Sequence, residues 1–256
     1  MNLTAVPAFS DNYIWMIDDG RSAVVVDPGE AGPVEAALDA KRLALVGILV
    51  THHHADHVGG VDALRPRLRG PVFGPAHEKV PQPCEGHVEG DLVEALGLGF
   101  EVIDVPGHTA GHIAFFSRQG AGEPIVFCGD TLFSAGCGKL FEGTPAQMHR
   151  SLAKLSELPD ATRVCCGHEY TLSNLRFAHA VEPGNVEIVA HIARCQALRV
   201  EGKPTVPSAI GRERRINPFL RCAEPAVIDA AVAHGASGRG GSEVLAAIRT
   251  WKNEFR

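Results

Sequence analysis

The segment THHHADH, residues 51–57, places four histidines and one aspartate within six consecutive positions. Neutral imidazole and carboxylate groups are ligands for zinc, iron and manganese. The segment follows the apolar run LVGILV, and the ends of strands in α/β sheets are where side chains converge on ligands. In an extended chain, His52 and His54 point the same way and can chelate one ion. The chain is expected to turn after His54. Asp56 and His57 lie just beyond this turn, where they can face a second ion.

Three further polar residues follow strand-like runs that end in glycine. His108 follows FEVIDVPG, Asp130 follows PIVFCG, and His168 follows TRVCCG. A lone histidine after a strand is usually an ordinary loop residue, but three such positions beside the first cluster favour a shared metal centre. His53 is expected to point away from its neighbours and to lie outside the ligand set. The sequence does not indicate a role for His112.

The elements that must position these residues are short β-rich runs, which recur through the first two-thirds of the chain. Most are apolar throughout, as strands buried on both faces are. The predicted strands are SAVVV, LVGILVT, PVFG, FEVIDV, HIAFFS, PIVFCGD and TRVCCG. After the start signal Thr144 and Pro145, Met148, Leu152 and Leu155 recur at steps of four and three, which predicts a helix. The pattern indicates a mixed α/β layered domain.

The chain changes character after Tyr170. Helical patterning dominates there, over residues 185–200, 224–234 and 242–255. We therefore expect a metal-binding domain over residues 1–170 and a mainly helical C-terminal domain over residues 171–256.

Charge divides the chain at the same place. Residues 1–170 carry 12 Lys and Arg against 22 Asp and Glu, a net charge of −10, whereas residues 171–256 carry 12 against 8, a net charge of +4. The acidic metal-bearing part argues against a nucleic-acid partner. The basic C-terminal part allows a local site for a small anionic ligand.

Composition bounds the remaining possibilities. With 256 residues, 45% of them hydrophobic and 21% charged, the chain can bury its own core, so we expect a monomer. No apolar run approaches the ~18 residues of a membrane span, which predicts no membrane partner. The N-terminus does not read as a secretory signal. Seven cysteines without Cys-x-x-Cys spacing favour free, mostly buried thiols in a reducing compartment, hence a cytoplasmic protein.

Several of these segments resemble the metallo-β-lactamase superfamily, namely THHHADHVGG, VVVDPG, PGHTAGH and CGDTLF. The resemblance implies an α/β fold, a metallo-β-lactamase-like αβ/βα four-layer sandwich with a C-terminal helical segment. It also implies two divalent metal ions, zinc with iron or manganese as alternatives. The implied ligands are His52, His54 and His108 for one ion, Asp56, His57 and His168 for the other, and Asp130 bridging both.

Within that superfamily the chain is similar to the glyoxalase II, or hydroxyacylglutathione hydrolase, family. The similarity rests on DNY, FSAGCGKLFEGT, GHEYT, NPFLR and RTWKNEF. It implies that the glutathione part of the substrate is bound by Lys139, Phe141, Tyr170, Arg249 and Lys252. Some relatives carry Tyr at position 141, so the Phe lacks a hydroxyl contact. Arg249 and Lys252, three apart on a predicted helix, share one face and suit the carboxylates of glutathione.

The implied activity is hydrolysis of S-D-lactoylglutathione, and of related S-(2-hydroxyacyl)glutathiones, to D-lactate and glutathione, the second step of methylglyoxal detoxification. A metal-bridging hydroxide, ionised near neutral pH, would attack the thioester, with Asp56 and Asp130 as the catalytic residues. The first alternative is a glutathione persulfide dioxygenase of the same superfamily, which needs one iron. The second is a non-enzymatic module with structural metals, although such sites are usually rich in cysteine.

Overall fold

The computed structural model describes residues 1–120 and 122–255, which form two six-stranded sheets, one two-stranded sheet and flanking helices. The strands are β1 Asn2–Ala8, β2 Asn12–Asp18, β3 Ser22–Val26, β4 Ala44–Leu49, β5 Val72–Pro75, β6 Glu85–His87, β7 Leu92–Ala95, β8 Leu98–Asp104, β9 Ile113–Ser117, β10 Ile125–Gly129, β11 Leu132–Phe133, β12 Gly136–Cys137, β13 Arg163–Cys166 and β14 Ser208–Ala209. The α-helices are α1 Ala31–Lys41, α2 Ala55–Val58, α3 Val61–Leu64, α4 Pro145–Ser156, α5 Thr171–Val181, α6 Val186–Val200, α7 Ile210–Ile216, α8 Pro225–Ala233 and α9 Gly241–Glu254.

The first sheet has its strands in chain order, β1-β2-β3-β4-β5-β6. Strands β1 to β3 pair antiparallel, and β3 to β6 pair parallel. The sequence did not predict β1 and β2. Pro7 lies within β1, and a proline argues against a strand unless that strand is at a sheet edge, which is where β1 lies.

The second sheet has the order β14-β13-β10-β9-β8-β7, with β13 parallel to β10. Its strand β14 comes from the C-terminal part of the chain and pairs with β13 through Arg163 and Val164. The C-terminal part therefore extends the second sheet as well as supplying helices. The division of the chain at residue 170 stays a prediction.

The core shows why the predicted strands are apolar throughout. In β2, Trp15 and Ile17 pack into the cluster shared with the second sheet, whereas Ile14 and Met16 pack with helices α1 and α3 on the other face. Alternate residues of a strand point to opposite faces, so a strand covered on both sides needs no polar face. Helices α4 and α9 cover the outer face of the second sheet. The four-layer arrangement agrees with the predicted fold class.

Helix α4 begins as the sequence predicts. The Thr144 hydroxyl accepts a hydrogen bond from the Gln147 main-chain N–H, and the Gln147 side chain accepts one from the Thr144 N–H, which makes a capping box. Met148, Leu152 and Leu155 are buried along one face. Helices α6, α8 and α9 also confirm the predicted helical segments, whereas α5 and α7 were not predicted.

All seven cysteines are free, and all but Cys84 are buried, which confirms that they act as small apolar side chains. Across residues 1–120 and 122–255, no helix combines the length and the apolar character needed to cross a bilayer.

Candidate functional site

The first ligand cluster forms where β4 ends and the chain runs on, extended, to His54. The Nδ1 atom of His54 lies 3.2 Å from His52 Nε2 and 3.0 Å from His108 Nε2. The three candidate ligand atoms all lie within 4.8 Å of one another. The fold thus brings together the three residues predicted to share one ion. His52 and His54 come from one loop, and His108 comes from the loop after β8.

The second cluster joins the short helix α2 to the end of β13. Asp56 Oδ2 lies 3.5 Å from His57 Nε2 and 3.4 Å from His168 Nε2. Asp130, just after β10, stands between the clusters. Its Oδ2 is 3.4 Å from His108 Nε2 and 3.3 Å from His168 Nε2, and its Oδ1 is 3.4 Å from His57 Nε2. All seven predicted metal ligands therefore surround one space.

The candidate ligands are oriented by partners that the sequence analysis did not identify. His57 Nδ1 donates to Asp27 Oδ2 at 3.0 Å, and His168 Nδ1 donates to Asp11 Oδ1 at 2.8 Å. Such carboxylate partners fix the ring orientation of a metal-binding histidine and raise its basicity. Asp27, with φ 52°, also accepts hydrogen bonds from the Thr51 N–H and hydroxyl, each at 2.7 Å.

Asn12 orients the carboxylate of the second cluster. Its side-chain amide donates to Asp56 Oδ2 at 2.9 Å. The sequence does offer a signal for these partners, because Asp11 and Asn12 lie in the segment DNY and Asp27 lies in VVVDPG. Both segments contribute to the family resemblance without having been assigned a role.

Two buried polar atoms show that the residues present fit metal ions. His57 Nε2 and Asp130 Oδ1 have no hydrogen-bond partner. Unpaired buried polar groups are costly, so an ion that both atoms coordinate would remove the penalty. A Cβ on Gly167 would lie 2.6 Å from His57 Cε1 and 2.7 Å from Asp130 Oδ1, so only a glycine leaves this space open.

The charges at the site also suit a cation. Burial lowers the pKa of His168, but hydrogen bonds and charges from Asp130, Asp56 and Asp11 outweigh burial and raise that pKa to about 11. Burial opposes ionisation of Asp130, yet His57 and His168 hold its pKa well below the usual range. The carboxylates are therefore ionised, and they stabilise positive charge where metal ions would lie.

His112 does not join the ligand set. Its Nδ1 donates to the Ile113 carbonyl at 3.0 Å, and its Nε2 accepts a hydrogen bond from the Asp130 main-chain N–H at 3.2 Å. Burial and the neighbouring His108 hold the pKa of His112 well below its usual value, which keeps the ring neutral and able to accept. His112 thus fixes the main chain at Asp130.

A cavity of about 710 Å³ opens from the two clusters. All five predicted substrate-binding residues line it, together with metal-site residues and the end of helix α9. Tyr170 stacks on His168 with ring centroids 4.6 Å apart. Phe141 is 64% exposed and meets His54 and His108 edge to face. Lys139 is exposed at the cavity wall.

The two cations of helix α9 differ in how far they are already engaged. Arg249 is buried and donates to the Cys137 carbonyl at 2.8 Å and to Asn253 Oδ1 at 3.2 Å, and its Nε has no hydrogen-bond partner. Lys252 Nζ donates to the Ser173 carbonyl and hydroxyl, each at 3.2 Å. Arg249 thus also ties α9 to strand β12, a structural contact that its sequence position did not indicate.

Two family models and several curated relatives match this chain over its length. The family model described as the metallo-beta-lactamase superfamily matches residues 8–168, and the model described as the hydroxyacylglutathione hydrolase C-terminus matches residues 169–255. The hydroxyacylglutathione hydrolase of Albidiferax ferrireducens is 57% identical over 255 residues, and that of Pseudomonas putida is 53% identical over 259 residues. In each case all of both chains is covered.

Solved structures confirm the predicted fold. ETHE1 from Myxococcus xanthus superposes with a TM-score of 0.66 at 25% identity, covering all of both chains. TTHA1623, in a di-iron-bound form, superposes with a TM-score of 0.61 at 27% identity, covering 86% of this chain and all of its own. Together the two family models match residues 8–255, and the relatives named hydroxyacylglutathione hydrolase match over their full length. The chain belongs to the hydroxyacylglutathione hydrolase family of the metallo-β-lactamase superfamily.

Proposed function

We propose that the protein hydrolyses S-D-lactoylglutathione and related S-(2-hydroxyacyl)glutathiones to a 2-hydroxy acid and glutathione. The main support is that a single cavity is lined both by residues of the two His and Asp clusters and by Arg249 and Lys252. Thioester chemistry and glutathione recognition then have separate parts of one cavity. The full-length relatives named hydroxyacylglutathione hydrolase support the same assignment.

Two divalent ions would be held by the seven residues of the two clusters. His52, His54 and His108 would bind one, Asp56, His57 and His168 would bind the other, and Asp130 would contact both. We propose zinc, with iron or manganese as alternatives, because the same nitrogen and oxygen donors accept all three. When bound, the ions would supply a water ionised near neutral pH and Lewis-acid stabilisation of the developing oxyanion.

The chain's own groups orient the reacting atoms. The carboxylates of Asp56 and Asp130 face the common space and would accept hydrogen bonds from the attacking water, fixing its direction. The leaving thiolate has a conjugate acid of pKa about 8.5, by analogy with cysteine, so it departs with little help from a general acid. No serine or cysteine nucleophile is needed.

Substrate binding falls to the cavity wall. Glutathione carries two carboxylates, and Lys139, Arg249 and Lys252 present cationic donors around the cavity. The rings of Phe141 and Tyr170 lie beside the ligand histidines and would flank the acyl group and the thioester. Recognition would thus draw on both parts of the chain, with Arg249 and Lys252 supplied by the basic C-terminal part, and the metal chemistry would lie in the acidic N-terminal part.

Removal of one cation tests the glutathione site. We expect Arg249→Ala to raise KM about tenfold or more with a smaller change in kcat, because a charge-assisted contact to a carboxylate is lost. Because Arg249 also anchors the Cys137 carbonyl, Lys252→Met serves as a second variant whose main-chain contact is on a different helix, α5. An unchanged KM in both variants would remove the cations of α9 from substrate binding.

The affinity for glutathione conjugates should fall as pH rises through about 8. Burial, with the charges of Arg249 and Arg176, lowers the pKa of Lys252 to about 8. Below this pH the ammonium is present and binds a carboxylate; above it, the dissociation constant should rise by up to about tenfold per pH unit. Calorimetric titration with S-methylglutathione measures this, and Lys252→Arg, which stays charged, should remove the inflection. A wild-type profile identical to that of Lys252→Arg would contradict this role of Lys252.

The substrate assay separates hydrolysis from the oxygenase alternative. A glutathione persulfide dioxygenase would need only His52, His108 and Asp130 on one iron, and it leaves the second cluster without a use. We expect loss of thioester absorbance with S-D-lactoylglutathione and no oxygen uptake with glutathione persulfide. Oxygen uptake without thioester hydrolysis would replace the proposed function.

We further propose a monomer that works in the cytoplasm, with a small glutathione thioester as its partner and no nucleic acid or membrane partner. The free cysteines are compatible with a reducing compartment. Sedimentation velocity of the purified chain tests the oligomeric state.

A further inference from the structure

Glu78 is a buried carboxylate next to the metal site, in the loop that follows β5. Its side chain is 2% exposed. Its Oε2 accepts hydrogen bonds from the His53 main-chain N–H at 2.7 Å and from His53 Nδ1 at 2.9 Å. Its Oε1 accepts hydrogen bonds from the Thr109 hydroxyl and from the Gly111 N–H at 3.0 Å. Each carboxylate oxygen of Glu78 therefore accepts two hydrogen bonds, and the donors come from two different loops.

These two loops carry the whole first cluster. His53 lies between the ligands His52 and His54, and Thr109 follows the ligand His108. One carboxylate thus joins the two pieces of chain that must meet around one ion. The second cluster is held by other groups, since His168 is oriented by Asp11.

The two loops pack closely on Glu78, and a second carboxylate, Glu142, links them nearer the surface. A Cβ on Gly111 would lie 2.7 Å from Glu78 Cγ, so the second loop packs directly on this side chain. Glu142 joins the same loops, since its Oε2 accepts a hydrogen bond from the Ala110 N–H at 2.8 Å and its Oε1 lies 3.4 Å from His53 Nε2. The imidazole of His53 is held between the two carboxylates.

We propose that Glu78 is a positioning residue that sets the spacing between the His52–His54 loop and the His108 loop, and thereby governs metal retention at the first cluster. The inference rests on the proposed two-metal site. It also accounts for the histidine at position 53, whose ring supplies one of the donors that bind Glu78.

Glu78→Gln is the direct test, because it keeps the shape of the side chain. The amide replaces one acceptor oxygen by an NH₂ group, which then faces donors from one of the two loops. The NH₂ group of the introduced glutamine and the N–H or hydroxyl donor that it faces cannot form a hydrogen bond. Their repulsion would push the two loops apart. Changes in the groups that orient metal ligands typically cost about 10- to 100-fold in metal affinity. We expect about a tenfold loss of zinc affinity at the first cluster.

Three measurements are combined. Bound zinc is measured at a series of buffered free-zinc concentrations, the histidine rings are followed by NMR, and the Tm of the metal-free chain is recorded. In Glu78→Gln, the ring resonances of His52, His54 and His108 should become those of free imidazoles at a zinc level where His57 and His168 remain bound. The matched control is Asp11→Asn, which should release zinc from the second cluster instead. The Tm of the metal-free chain should fall by only about 2–4 °C in Glu78→Gln, because one buried hydrogen bond is lost while the rest of the fold is unchanged.

The outcomes separate this inference from the proposed function, because metal retention is measured without substrate. Wild-type zinc affinity in Glu78→Gln, in a chain that hydrolyses the thioester, overturns the positioning role alone. Equal zinc loss from both clusters, together with a fall in metal-free Tm much larger than about 4 °C, also overturns it, since that indicates a general structural role. A wild-type chain that binds no zinc, iron or manganese overturns both.

Discussion

Asp130→Ala is expected to abolish thioester hydrolysis, with kcat/KM falling by about 10³-fold or more. The carboxylate contacts candidate ligands of both clusters at 3.3 to 3.4 Å, so its removal takes a donor from each proposed ion at once. It also leaves His57 Nε2, already without a hydrogen-bond partner, facing an empty space. Metal content by mass spectrometry and kcat/KM on S-D-lactoylglutathione measure the two effects together.

Two further variants make the Asp130 result specific. Asp130→Asn keeps the shape but lacks the charge, and we expect it to bind metal weakly and to retain little activity. Asp62→Ala removes an exposed carboxylate whose ion pair with Arg65 lies on the protein surface, so activity and metal content should stay unchanged. Full metal content and full turnover in Asp130→Ala would refute its place in the metal centre.

Gly167→Ala is the second substitution with a large expected effect. Its added methyl group would lie 2.6 Å from His57 Cε1 and 2.7 Å from Asp130 Oδ1, closer than van der Waals contact allows. The main chain has little freedom to yield, because Gly167 N–H donates to the Gly129 carbonyl at 3.0 Å and its own carbonyl accepts from the Tyr13 N–H at 2.8 Å. We expect loss of bound metal and a fall in activity of about 10²-fold.

Gly184→Ala is the matched control for that substitution. A Cβ at position 184 meets no atom within 4 Å, so the same chemical change should leave metal content and kcat/KM as in the wild type. Circular dichroism of both variants separates local crowding from misfolding. Normal metal binding by a folded Gly167→Ala protein would show that the ligand side chains do not occupy the positions described.

Part of the candidate site could be predicted from the sequence, because some of its residues are close both along the chain and in space. His52 and His54 lie side by side because the chain is extended there, and strand ends bring His108, Asp130 and His168 close to them. These positions follow from the periodicity of strands and from the geometry of α/β sheets.

The partners that orient the ligands could not be predicted in the same way. Asp27 and Glu78 are ordinary acidic residues in the sequence, and their roles arise from contacts with residues 24 to 33 positions away. Only the fold brings those groups together. Likewise, the helical pattern predicts that Arg249 and Lys252 share a face, but not that Arg249 binds the Cys137 carbonyl.

The fold prediction missed elements whose local signals are weak or conflicting. Strand β1 contains Pro7, and helix α7 lies in a segment rich in proline and arginine that resembles a connector. Tertiary packing decides both cases: β1 is an edge strand paired along its whole length with β2, and α7 buries Ile210 and Ile216. Long apolar strands and the capped helix α4, by contrast, needed no tertiary information.

Titration of the metal-free chain with zinc, with the initial rate of S-D-lactoylglutathione hydrolysis as the readout, is the decisive test of a two-metal thioesterase site. We expect negligible activity without metal and a rate that rises until about two equivalents of zinc are bound per chain. Absence of hydrolysis by a fully metallated protein would contradict the proposed substrate. Full activity in the metal-free protein would contradict the metal centre itself.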